Sequence, residues 1–166
     1  MKRTAHAVWR GDGKTGQGNL TTPSGALQQQ PYSTRMRFES EDGRLGTNPE
    51  ELVAAAHAGC FSMALAFQLA GAGHTAEQID TEAVLTLEQQ GGGWSITAIR
   101  LELNARVSGI DEATFQKLAA EAMANCPVSR VLKAGITLDA KLAGAAQAAD
   151  CPRAPRARDR FAESRR

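Results

Sequence analysis

The residues of this chain best placed to do chemistry are two cysteines on separate stretches. Cys60 lies in the middle of an apolar run, TNPEELVAAAHAGCFSMALAFQLAGAG, from Thr47 to Gly73. Cys126 stands directly before Pro127 in NCPVSRVLKAGITLD. Proline suits the first position of a helix, because its missing N–H would be unpaired there anyway. Cys126 is therefore expected at the N-cap of a new helix, where unpaired amides and the positive dipole end stabilise a thiolate. Cys60 taken alone reads as packing, since free cysteine is among the most buried residue types. A second thiol at a helix start changes that reading. Two thiols on two elements suit a reversible disulfide, in which one thiolate attacks an oxidant and the other resolves the product.

A thiolate on a buried helix needs a counter-charge. Arginine serves best because it stays protonated when desolvated, and Arg35 and Arg37 lie just upstream of the run. A buried arginine in turn needs a carboxylate to orient it, which Glu50 or Glu51 can supply. His57, three residues before Cys60, shares its helix face; a Cys–His couple is one reading, and a histidine packed or hydrogen-bonded beside the core is the stronger one. Zinc held by Cys60, His57 and Cys126 matches no known ligand spacing and lacks a fourth ligand.

These side chains need elements to position them. Thr47 or Asn48 caps a helix that Pro49 begins, with Glu50 or Glu51 three residues on as in a capping box. From Leu52 to Ala70 no Asp, Glu, Lys or Arg interrupts it, so it is expected as a buried central helix and not a membrane span; Ala-richness, His57, Ser62 and Gln68 weigh against insertion. Strands are expected at 4–10, 17–22 and 25–30, then a loop from Pro31 to Gly46. Gly11, Gly13, Gly16 and Gly18 resemble a phosphate loop only weakly and read as hairpin turns. Alternation predicts a hairpin of 79–88 and 94–107. The second strand switches from even to odd apolar positions, which predicts a β-bulge near Ala98 and Ile99. An amphipathic helix over 111–125, a short helix from Pro127 to about Lys133, and a closing strand over 134–142 follow.

The chain has 166 residues and a net charge of +1, enough for one domain, with no electrostatic case for nucleic acid. From Ala143 onward six arginines stand against Asp150, Asp159 and Glu163 in an Ala/Arg/Pro-rich tail that also holds Cys151; no packed structure is expected there. The basic start, MKRTAHAVWR, lacks the apolar region of a secretory signal, so a cytoplasmic location is expected. Three cysteines argue against a disulfide framework.

TNPEELVAAAHAGCFSMAL (47–65) and NCPVSRVLKAGITLD (125–139) resemble the OsmC family of osmotically inducible hydroperoxide reductases. HAVWRGDGKTGQG (6–18), SGALQQQPY (24–32) and RFE (37–39) extend the resemblance over residues 5–142. HAGCFSMAL and RFE favour this branch over the sister Ohr branch, the organic hydroperoxide resistance proteins. The resemblance implies an α+β domain over 1–142, with antiparallel β-sheets wrapping central α-helices. It implies an intertwined homodimer with two active sites at the subunit interface. It implies a thiol peroxidase without haem, flavin or metal, active on organic hydroperoxides in oxidative or osmotic stress. Carried over residue by residue, Cys60 is the peroxidatic cysteine and Cys126 the resolving one. Arg37 pairs with the thiolate, with Arg35 as the rival, and Glu50 holds the arginine. The sister branch has tyrosine where His57 stands, which argues against His57 as an obligatory base. The implied reductant is an external dithiol, dihydrolipoamide or a lipoylated protein. Phe61 and Met63 are expected near an apolar substrate pocket, and Phe67 in the core. The rival readings are a redox sensor without turnover and a carrier of apolar ligands.

Overall fold

A computed structural model of the chain describes residues 1–40 and 44–143. The expected unpacked tail, apart from Ala143, and Cys151 within it lie outside the described residues. Among the described residues, two three-stranded sheets and four helices form an α+β architecture. The first sheet contains β1 (His6–Arg10), β2 (Gln17–Thr21) and β3 (Gln30–Ser33), all antiparallel. Gly18 is required where β2 passes between its neighbours. A Cβ there would meet the Val8 carbonyl oxygen at 2.2 Å and the Tyr32 ring at 2.6 Å. The glycine-rich segment is a hairpin, as its missing phosphate-loop context implied. Asp12 closes its turn by accepting from the Lys14 and Thr15 amides at 2.7 and 2.9 Å.

Two local expectations are corrected here. Residues 25–29 form bends, and the third strand starts at Gln30. Pro31 is tolerated because β3 is an edge strand, where a missing N–H costs no ladder bond. The stretch read as loop also contains α1 (Thr34–Phe38), whose N-cap Ser33 accepts from the Met36 amide.

The long helix α2 (Pro49–Gly71) starts as its sequence predicts: Asn48 is the N-cap and accepts from the Glu51 amide, and Pro49 opens the first turn. Its buried residues are His57, Phe61, Leu65 and Leu69. That four-residue spacing is a single stripe, which packs on β4 (Ala76–Gln90), α3 (Glu112–Asn125) and α4 (Pro127–Val131). The other side of α2 is open: Met63 is 63% and Phe67 79% exposed. The expectation of a helix buried all round therefore holds for one face only, and Phe67 is not in the core. By length and composition alone α2 could cross a membrane.

The second sheet runs in the order β4-β5-β6, with β5 (Gly93–Val107) central and β6 (Gly135–Leu142) beside it. Leu101, Leu103, Ala105 and Val107 alternate into one core cluster with Phe115, Leu118, Ala119 and Ala122 of α3, and Ile99 continues the buried alternation. Thr86 pairs with Ala98 but Leu87 with Ile96, so Thr97 is the extra residue of a bulge, just before the expected Ala98–Ile99. The pairing of β5 with β6 is parallel, so the expectation of purely antiparallel sheets is wrong for this sheet. The connection through α3 and α4 is long enough for a parallel crossover, and strand alternation alone does not encode direction.

Leu65 is fully buried in the centre of the stripe. Leu65→Ala is expected to cost about 2–5 kcal/mol, read as a lower urea midpoint at unchanged slope. A loss below about 1 kcal/mol would remove Leu65 from the core.

Candidate active site

The two thiols meet where the start of α4 docks on α2. Cys126 is fully buried and occupies the backbone N-cap position of α4; Cys60 is half-buried one residue before Phe61. Both are free thiols, and their side chains interact with each other. No α4 amide reaches the Cys126 side chain with full capping geometry. The amides of Ser129 and Val128 still lie close enough to act on its charge. Burial pushes the Cys126 thiol up, but the Ser129 amide, the Cys60 thiol, the Ser129 hydroxyl and the Val128 amide together hold it below the ordinary thiol range. Burial and the neighbouring Cys126 push Cys60 up, against a smaller effect of the Val128 amide. Within one chain these opposite shifts favour Cys126 over Cys60 as the thiolate.

His57, fully buried, is one turn before Cys60. Its Nε2 lies 2.8 Å from Ser129 Oγ, so α2 and α4 are tied by a polar bridge beside the thiols, and burial lowers its pKa. The imidazole thus engages Ser129 and not Cys60. Ser129 was not singled out from the sequence. Its position three residues after a Cys-Pro N-cap, where an N3 side chain faces back to the cap, is the signal that could have found it.

Glu50 and Glu51 divide their tasks. Glu51 serves the helix start: its amide donates to Asn48 Oδ1 and its carboxylate accepts from Thr47 Oγ1 at 2.7 Å. Glu50 takes Arg37 in a bidentate pair, with Nε–Oε2 3.0 Å and Nη2–Oε1 2.5 Å. The Glu50 side chain is 15% exposed and Arg37 31%. Arg35 is exposed and pairs with exposed Glu39 at 3.6 Å, so Arg37 is the arginine that meets Glu50. The Arg37 guanidinium lies 4.8 Å from the Phe38 ring centroid, and Phe38 packs on Trp94 with centroids 5.0 Å apart. A groove of about 430 Å³ opens here, lined by Arg37, Glu50, Trp94, Ile96, Val131 and Leu132 among others. Cys60 does not line it, and Arg37 is not among the groups acting on Cys60. The structure brings Cys60 to Cys126 and Arg37 to Glu50, but holds the two pairs apart in one chain. Among the described residues no group of three His, Cys, Asp or Glu could hold a metal ion.

The model of the family described as OsmC-like protein matches residues 40–141. The peroxiredoxin OsmC of Escherichia coli is 51% identical over 142 residues, covering 86% of this chain and 97% of that protein. The organic hydroperoxide resistance protein OhrB of Bacillus subtilis is 27% identical over 133 residues, 75% of this chain and 88% of that one. Its crystal structure superposes with a TM-score of 0.59 at 25% identity, covering 84% and 98% of the two chains. An OsmC-like protein of unknown function from Vibrio cholerae gives 0.69 at 16% identity, covering 85% and 99%, a likeness of fold.

If the α4 amides select the first thiolate, ultraviolet thiolate titration of single-cysteine proteins should show it. With Cys60 and Cys151 replaced by serine, Cys126 should titrate below the ordinary thiol range; with Cys126 and Cys151 replaced, Cys60 should titrate above Cys126. The reverse order would contradict the electrostatics described.

Proposed function

The chain belongs to the OsmC family, and from that membership and the meeting of Cys60 with Cys126 we propose that it is a cysteine peroxidase acting on organic hydroperoxides. The observation that carries the reading is the contact of two free thiols between α2 and α4. The names of its relatives, a peroxiredoxin and an organic hydroperoxide resistance protein, support the chemistry.

Cys60 is the attacking residue, because it is the half-buried thiol and Cys126 is sealed. It reaches its thiolate by passing its proton to Cys126. The Cys60 sulfur then attacks one peroxide oxygen. An S–O bond forms, the O–O bond breaks, and the alkoxide leaves and takes the proton held by Cys126 to become the alcohol. Cys126, ionised again, attacks the sulfenic sulfur; the S–S bond forms, the S–O bond breaks, and hydroxide leaves to become water. An external dithiol of the dihydrolipoamide or lipoylated-protein type returns both thiols by exchange. No haem, flavin or metal takes part in these steps, and the work is done in the cytoplasm under oxidative or osmotic stress.

The active form on this reading is an intertwined homodimer. The bare face of α2, with Met63 and Phe67, is too apolar to be left in water. The first sheet packs chiefly within itself and against α1, so it is free to lie on a second chain. Such an exchange would bring the Arg37–Glu50 pair to a Cys60 across the interface, where the guanidinium would favour its thiolate.

Purified protein with dihydrolipoamide should consume an alkyl hydroperoxide over many turnovers, and Cys60→Ser should reduce the rate to background. One reaction per site without recycling would support the redox-sensor reading instead. After one equivalent of peroxide, peptide mass spectrometry should find Cys60 linked to Cys126; a dominant Cys151 link would refute the assignment.

Phe67→Arg should weaken self-association at least about tenfold in sedimentation, the scale of a lost apolar anchor. It should lower turnover in parallel. An unchanged dimer and full activity would remove this face from the interface.

A further inference from the structure

His57 is fully buried, and only one of its two ring nitrogens is used. Nε2 lies 2.8 Å from Ser129 Oγ, and Nδ1 is buried without a hydrogen-bond partner among the described residues. That inequality selects the tautomer. A proton on Nδ1 would be an orphaned buried donor, the rarer and costlier defect, whereas a bare Nδ1 is only an unused acceptor. The proton therefore sits on Nε2 and is donated to the Ser129 oxygen. The Ser129 hydroxyl is left with its own proton to give. Ser129 is the third residue of α4 and Cys126 its N-cap, and the Ser129 hydroxyl is among the groups that act on the Cys126 sulfur. The titratable side chain that touches Cys126 is Cys60, also from α2.

We propose that His57 is a positioning residue for Cys126: its Nε2–H fixes the Ser129 hydroxyl so that the hydroxyl proton points at the Cys126 sulfur. The arrangement is a two-link donor chain running from α2 through α4 to the thiol. In the peroxidase reading, on which its catalytic meaning rests, the chain steadies Cys126 as the thiolate that attacks the Cys60 sulfenic acid. It does not act as a base toward Cys126, since the nitrogen that faces Ser129 already carries its proton and the bare Nδ1 meets no hydrogen-bond partner among the described residues. A packing histidine would need no correctly placed N–H; this one does.

The test uses full-length protein with Cys60 and Cys151 replaced by serine, so that Cys126 is the sole thiol, and reads its ionisation by ultraviolet thiolate absorbance. No peroxide is involved, so its outcome is independent of whether the native chain turns over. Ser129→Ala, a small change in volume, should raise the titration midpoint by about one pH unit, the scale of one hydrogen bond to a charged group. His57→Phe should raise it similarly. The double variant should go no further than Ser129→Ala alone, because the histidine acts through the serine. His57→Gln, which can set an amide N–H near the place of Nε2, should keep the midpoint within about a third of that shift. An unchanged midpoint in Ser129→Ala, additive effects in the double variant, or a loss in His57→Gln equal to that in His57→Phe would each overturn the proposal.

Discussion

The stripe His57–Phe61–Leu65–Leu69 fixes the rotation of α2, and the site depends on that rotation. Each buried large apolar side chain contributes on the order of 1.5–3 kcal/mol, so the seam that faces β4, α3 and α4 is strongly defined. One residue along a helix turns by about 100°. Cys60 precedes Phe61, so burial of the phenylalanine carries the cysteine to the edge of the seam, half-covered, at the point where α4 begins. Cys126 comes to the same point for a different reason. Pro127 stops α3 and starts α4, and the chain must turn there with its N-cap side chain against α2. The two thiols are thus brought together by apolar packing and a proline, with no strong bond of their own.

Much of this was legible because it is local. The Asn48-Pro49 start, the alternation of β4 and β5, the face of α3 and the break at Cys126-Pro127 are all written in patterns a few residues long, and the structure has them at or near those bounds. The features that were not legible depend on distant partners. The direction of β6 is set by where α3 and α4 deliver the chain, since Ile136, Leu138, Ala140 and Leu142 alternate alike in either sense. Pro31 marked a loop in the sequence, yet it lies in a strand because β3 falls at an edge. Phe67 looked like core because a sequence shows that a side chain is apolar and not which neighbour covers it.

The chain carries two separate electrostatic devices, one at the thiols and one apart from them. The α4 amides and the Ser129 hydroxyl act on Cys126 at short range, and need only the fold of one chain. The Arg37–Glu50 pair is built on α1 and the first turn of α2, with Phe38 and Trp94 supporting the guanidinium. A carboxylate held in two hydrogen bonds fixes the plane and position of an arginine that would otherwise sample many rotamers. Such a fixed cation is useful only if something anionic comes to it. Within one chain, Arg37 is not among the groups acting on Cys60. The opposite shifts of the two thiols within one chain, Cys126 down and Cys60 up, come from burial and from the groups at the start of α4, without a cation.

The bare side of α2 joins these observations. A helix without a charge from Leu52 to Ala70 but with one buried stripe is unfinished in water, because Met63 and Phe67 lose hydrophobic stabilisation for as long as they stay exposed. A bilayer would cover such a helix on all sides, but the stripe is already committed to a protein core, and the buried His57 and half-buried Cys60 would gain nothing from lipid. A second protein surface would cover the open side alone and leave the seam intact. Cys60 lies between the covered stripe and the bare face, so whatever closes that face would also form part of the wall around Cys60. An apolar cover would admit an alkyl hydroperoxide more readily than hydrogen peroxide, since the alkyl chain gains on leaving water and the small polar oxidant does not. Substrate preference and assembly would then follow from the same apolar helix face.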